Sequence, residues 1–106
     1  MSVEIITDNE IEDVLTTHDK VVVKYFANWC GSCKLFSPKF KRLSNDERFD
    51  GTYFIDVNAE ENPVARKLAG VNNLPYFAVF QNGKLLAGAS TSKEDMVVEL
   101  LNQLNA

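Results

Sequence analysis

Residues 21–27 are almost continuously apolar and rich in β-branched and aromatic side chains, the pattern of a strand covered on both faces. One residue breaks the run, Lys24. Shorter strand patterns lie at residues 3–6, at 52–57, where the run ends in polar residues, and at 76–80. Between them the period changes to that of helices. Thr7 with Glu10 three residues later makes a capping box, and Ile11, Val14 and Leu15 form the stripe behind it. From Cys30 to about Leu43 a helix places Phe36, Phe40 and Leu43 on one face, with Pro38 predicting a kink. Pro63 opens a third helix, which should pack Val64 and Leu68 inward and end at Gly70. Asn82-Gly83 signals a type I′ hairpin joining 76–80 to a strand at 84–87. Ser92 is placed to cap a last helix carrying Val97, Leu100, Leu101 and Leu104.

The order is therefore βαβαβα, then a hairpin, then a helix. Strands separated by helices should pair in parallel through right-handed crossovers, and the hairpin adds antiparallel pairs. The predicted class is α/β: one domain over residues 1–106, with a mixed central sheet flanked by helices on both faces. No linker, repeat or low-complexity stretch divides it. Ligands of such sheets sit beyond the C-terminal ends of the parallel strands, and two cysteines follow directly on residues 21–27.

Composition narrows the function. Hydrophobic residues are 45% of the chain and charged residues 25%, which excludes a disordered chain. Eleven basic residues against fifteen acidic ones give a net charge of −4, with no Lys/Arg cluster to bind nucleic acid or an anionic membrane. The N-terminus lacks the basic and apolar regions of a secretory signal, and the longest apolar runs are far too short to span a bilayer. A soluble, cytoplasmic protein is the expectation. The 2 cysteines and 1 histidine are a poor set for a closed zinc site, and a disulfide between near neighbours is a poor structural staple. Redox chemistry remains as the leading use of the pair.

Trp29-Cys30-Gly31-Ser32-Cys33-Lys34 joins the buried strand to a helix. Cys30 falls at the helix N-terminus, where free backbone N–H groups and the helix dipole favour a thiolate over an ordinary thiol. Cys33 follows about one turn later and should be the more buried. Gly31 should permit a tight turn and leave backbone open to a partner. Here the chain is similar to the thioredoxin family over nearly its whole length, on residues 21–34, Pro38, Asn62-Pro63, Leu74-Pro75, Asn82-Gly83 and the terminal amphipathic helix. The resemblance implies a thioredoxin fold and a protein-disulfide reductase that needs no bound cofactor beyond a Cys30–Cys33 redox disulfide. It implies Cys30 as the attacking sulfur and Cys33 as the resolving one. Pro75 matches the family's cis proline, with the backbone of Leu74 offered to substrate, Trp29 covering one side, and Gly31 and Ser32 lining the rest. The implied partners are disulfide-containing proteins and a thioredoxin reductase as electron donor, with the chain monomeric.

Three departures from the family pattern stand out. Ser32 replaces the proline usual between Gly31 and Cys33. The segment 85–92 is short, which assigns the family's glycine after the last strand to Gly88, with Ala89 beside it. Lys24 stands where a buried aspartate is usual, and counting back from Asn62-Pro63 puts Asp56 where its lysine partner is usual. A buried lysine needs a counter-charge, so an inverted Lys24–Asp56 pair is expected. His18 reads as a surface residue, the phenylalanines as core, and Glu60-Glu61 as a solvated helix-start pair. A disulfide oxidase or isomerase of the same fold, and a redox-inactive binding subunit, are the alternatives.

Overall fold

The computed structural model describes residues 3–105. The elements are β1 (Glu4–Ile5), α1 (Asp8–Thr17), β2 (Lys20–Phe26), α2 (Gly31–Ser44), a 3₁₀ turn (Glu47–Phe49), β3 (Tyr53–Asn58), α3 (Pro63–Leu68), β4 (Tyr76–Gln81), β5 (Lys84–Ser90) and α4 (Glu94–Leu104). They build one five-stranded sheet in the order β1-β3-β2-β4-β5. The first three strands are mutually parallel, whereas β4 runs antiparallel to β2 and β5 antiparallel to β4. That departs from the crossover rule at one point: β4 follows a helix yet enters the sheet reversed.

Alternation along the central strands sorts the core into two layers. Val21, Val23, Tyr25, Ile55 and Val57 face α1 and α3. Val22, Phe54, Phe77 and Val79 face α2 and α4, meeting Phe36, Phe40, Leu43, Leu101 and Leu104. By the same alternation Lys24 and Asp56 point toward the α2 layer, and the β2–β3 register sets them side by side. Asn82 and Gly83 both have positive φ, as the type I′ hairpin requires. Gly70, in the left-handed region, ends α3 with its N–H on Lys67 O and the Val71 N–H on Arg66 O, a Schellman motif.

Several local expectations are corrected. Val64 and Leu68 do not pack inward: Val64 is 56% exposed and Leu68 44%, and Ala65 is the α3 residue buried against the core. The six-residue helix turns its small side toward Tyr25, whose hydroxyl donates to Ala65 O at 2.8 Å. Ser92 does not cap α4. The N-cap is Lys93, whose N–H is taken by Thr91 Oγ1 at 3.0 Å. Strand β5 runs to Ser90 rather than 87, with an irregularity opposite Val79 and Phe80. Pro38 sits inside an α2 that continues unbroken for 14 residues.

Candidate active site

Cys30 is the N-cap of α2, and the helix begins at Gly31 because the strand ends at Phe26 and the chain turns through a Cys30 N–H to Ala27 O bond. Cys30 and Cys33 form a disulfide, with their Cα atoms 5.3 Å apart. Cys30 Sγ accepts the Cys33 N–H at 3.2 Å, and Ser32 Oγ lies 3.6 Å from the same sulfur. A disulfide sulfur carries no proton, so Ser32 is the donor. Both cysteines are buried in this state, Cys30 as well as Cys33, so position in the helix distinguishes them and exposure does not. Gly31 has no positive φ and nothing lies near the place a Cβ would take; its contribution is open space above the helix start, not turn geometry.

Trp29 is 69% exposed beside the disulfide, and its indole N–H donates to Glu60 at 2.8 Å. Sequence reading gave Glu60 no role. It lies in the turn between β3 and α3, which Asn58 shapes by accepting the N–H groups of Glu60 and Glu61. Across the site the Leu74–Pro75 peptide is cis. Leu74 packs against Ala27 and the cysteines, and its N–H is held by the Asn73 side chain at 3.0 Å. The Pro75 carbonyl accepts from Thr91 N–H and Ser90 Oγ. Gly88 lies two residues before Ser90 on β5, opposite Ala78, and a Cβ there would meet the Tyr76 hydroxyl at 2.7 Å and its ring at 2.9–3.1 Å. The residues of this segment that touch Pro75 are thus Ser90 and Thr91.

Beneath Cys33 a cavity of about 130 Å³ is lined by Lys24, Phe26, Ala27, Ser37 and Asp56 among others. Lys24, 2% exposed, lies 3.5 Å from Asp56 Oδ1, and Asp56 retains 20% exposure. The ammonium also sits near the faces of Phe26 and Phe40. Burial pushes the Lys24 ammonium below its usual range, against the pull of Asp56; burial likewise pushes the Asp56 carboxyl up, against the pull of Lys24. His18 is exposed and stacked on Tyr53, and its hydrogen bonds go to Thr17 and Val14 rather than to the cysteines. Among the described residues no cluster of His, Cys, Asp or Glu could hold a metal ion, and no helix is long and apolar enough to cross a membrane.

A vicinal cysteine pair at a helix N-terminus, beside a cis proline on a mixed sheet, defines a thiol–disulfide oxidoreductase. The Thioredoxin family model matches residues 2–103. The thioredoxin Asp f 29 of Aspergillus fumigatus is 40% identical over 86 residues, 78% of this chain and 77% of that protein. The crystal structure of Malassezia sympodialis thioredoxin superposes with a TM-score of 0.89 at 25% identity, covering 99% of this chain and 92% of that one. A chain from a complex of ferredoxin:thioredoxin reductase with thioredoxin f2 gives a TM-score of 0.89 at 20% identity, covering 99% and 96%. The chain belongs to the thioredoxin family, and with its cysteine pair intact it is a protein-disulfide reductase of that family.

Proposed function

We propose that residues 1–106 act as one cytoplasmic, monomeric thioredoxin domain that reduces protein disulfides with no bound cofactor. The observation that carries the residue roles is the placement of the Cys30 sulfur at the α2 N-cap, with Cys33 above the Lys24–Asp56 cavity. In the reduced protein, Cys30 thiolate attacks one sulfur of the substrate disulfide and the other leaves as a thiol. Cys33 thiolate then attacks Cys30, breaks the mixed disulfide, and releases the second substrate thiol. Two electrons pass to the substrate, and Cys30–Cys33 is left oxidised. Substrate backbone pairs beside Leu74–Pro75, Trp29 closes one side, and Gly31 and Ser32 leave an approach over the helix start. Gly88 supports this rim only through β5. Lys24 stabilises the Cys33 thiolate by charge, and Asp56 keeps the pair ionised.

The electron donor is a thioredoxin reductase, a reading supported by the structural neighbour solved with such an enzyme. Reduction of insulin disulfides, coupled to a thioredoxin reductase, tests activity and donor together. Wild type turns over, and replacing either cysteine by serine abolishes turnover. Brief alkylation of the reduced protein labels Cys30 before Cys33; preferential labelling of Cys33 reverses the assignment. A disulfide oxidase is the second reading, favoured by the Ser32 hydroxyl beside Cys30, and a reduction potential near −120 mV rather than −270 mV would establish it.

A further inference from the structure

The shortest hydrogen bond of the Lys24 ammonium does not go to its counter-ion. It goes to Ser37 Oγ at 2.6 Å, while Asp56 Oδ1 stands 3.5 Å away. Ser37 is four residues after Cys33, one turn along α2, and its hydroxyl donates to the Cys33 carbonyl at 3.2 Å. With its proton committed there, the hydroxyl has only lone pairs left, and these suit an ammonium donor. Lys24 is thereby tied to the helical turn that carries Cys33. Asp56 Oδ1 is buried and, apart from the Lys24 ammonium at 3.5 Å, has no hydrogen-bond partner among the described residues, so it is an acceptor with spare capacity on the cavity wall.

We propose that Ser37 is a positioning residue for the resolving half-reaction, fixing the Lys24 cation beneath Cys33 while Asp56 takes the Cys33 proton. The proposal rests on the reductase reading above. In this step the Cys33 S–H bond breaks and its proton passes through the cavity, which has room for water, to Asp56 Oδ1. The Cys33 thiolate forms the bond to Cys30, the Cys30–substrate S–S bond breaks, and the departing thiolate is protonated from solvent. Asp56 returns its proton to solvent afterwards. The titratable and charged groups facing Cys33 are Lys24 on β2, Asp56 on β3, and Cys30 and Lys34 on either side of it; the packed Leu74–Pro75 segment adds none. A carboxyl whose pKa is raised toward neutrality is better matched to this transfer than an ordinary one.

The test uses the reduced full chain with one equivalent of 5,5′-dithiobis(2-nitrobenzoate) in stopped flow. The first coloured thiolate reports attack by Cys30, and the second reports resolution by Cys33. Ser37→Val and Ser37→Thr have nearly the same shape and differ in the hydroxyl, and Ser37→Ala suits a helix. Ser37→Ala and Ser37→Val should slow the second phase about tenfold, the worth of one charge-assisted hydrogen bond, and change the first less than twofold. They should also move the pH midpoint of the second phase upward, because a less well-placed cation stabilises the thiolate less. Ser37→Thr should restore both rate and midpoint. An unchanged second phase in Ser37→Val, or equal slowing of both phases, overturns the proposal while wild type still resolves. A wild type that releases only the first equivalent overturns the reductase reading and the proposal with it.

Discussion

A lysine and an aspartate buried side by side are held in opposition: desolvation drives both toward neutrality, and each one's charge keeps the other ionised. The folded chain binds the Asp56 proton more tightly than the unfolded chain does. This carboxyl's contribution is therefore full below its ordinary value of 3.8 and is lost as pH rises toward the higher folded value. Lys24 runs the other way: its folded state binds the proton less tightly, so stability is recovered as pH rises from the lowered folded value to the ordinary 10.5. Near neutrality the ionised pair is a net cost. Lys24→Met with Asp56→Leu should therefore unfold in urea at pH 7 with about 1–4 kcal/mol more stability than wild type, while resolving mixed disulfides more slowly. Lys24→Ala alone should lose about 3 kcal/mol, the lower end of the range for breaking buried pairs, since Asp56 keeps partial access to water. Lys24→Asp with Asp56→Lys should recover more stability and activity than either single change; simple additivity would mean that the residues are not coupled. The adjacency of this pair was legible beforehand, because the resemblance to the thioredoxin family and a gap-free count from Asn62-Pro63 put Lys24 and Asp56 at the two positions of the family's buried pair. Ser37 was not: a serine on the exposed side of a helix reads as surface, and only its spacing of four from Cys33 could have drawn notice.

At the scale of elements, the turn from β3 into α3 is fastened from a distance. Asp8, opening α1, accepts the N–H groups of Ala65 and Val64 at 2.8 and 3.1 Å and donates its own N–H to Asn62 Oδ1 at 2.8 Å. A carboxylate at these free amides does for α3 what a capping side chain does, and complements the helix dipole. Asn62 in turn donates to Asn58 O, and Asn58 shapes the turn that carries Glu60 to Trp29. Asp8→Ala should cost about 1–2 kcal/mol in denaturant unfolding, and Asp8→Asn less, since an amide still accepts. If the two variants are equally unstable, the dipole and not the hydrogen bond is the larger effect. This long-range cap explains a miss in the sequence reading. A helix of one to two turns, fixed from α1, needs only Ala65 in the core, so the apolar Val64 and Leu68 that looked inward stay at the surface. Glu60 was missed for a related reason: its partner is 31 residues back, and no local pattern encodes that meeting. Likewise the irregularity in β5 decides that Ser90 and Thr91 meet Pro75, which a count along 85–92 could not reveal. Every strand and α-helix was nonetheless legible, the buried ones from their local repeat, β5 from the Asn82-Gly83 turn and α3 from Pro63 and Gly70, although β5 is largely exposed and α3 buries only Ala65.

For the whole molecule, the redox state and the global stability are linked through one cycle. The difference in unfolding free energy between the reduced and oxidised proteins equals the difference in dithiol oxidation free energy between folded and unfolded chains. The ring closed by Cys30 and Cys33 is small, so its effect on unfolded-chain entropy is slight and groups in the folded site decide the sign. Those groups, the Cys33 N–H and the Ser32 hydroxyl at Cys30 Sγ with the α2 N-terminus behind them, all favour a thiolate, hence the reduced form. Serine in place of proline brings both a hydroxyl and an N–H of its own, yet the backbone donor at the sulfur is that of Cys33. The hydroxyl is therefore the operative difference. Ser32→Ala should lower the reduction potential by about 20–30 mV, and Ser32→Pro by a similar amount, where about 30 mV corresponds to 1.4 kcal/mol. In urea the reduced Ser32→Ala protein should lose about 1 kcal/mol relative to reduced wild type, with the oxidised forms nearly equal. Equilibration against glutathione gives the potential and paired unfolding curves give the stability gap, and the two must agree for either variant. A much larger fall for Ser32→Pro than for Ser32→Ala would shift the effect from the hydroxyl to the backbone.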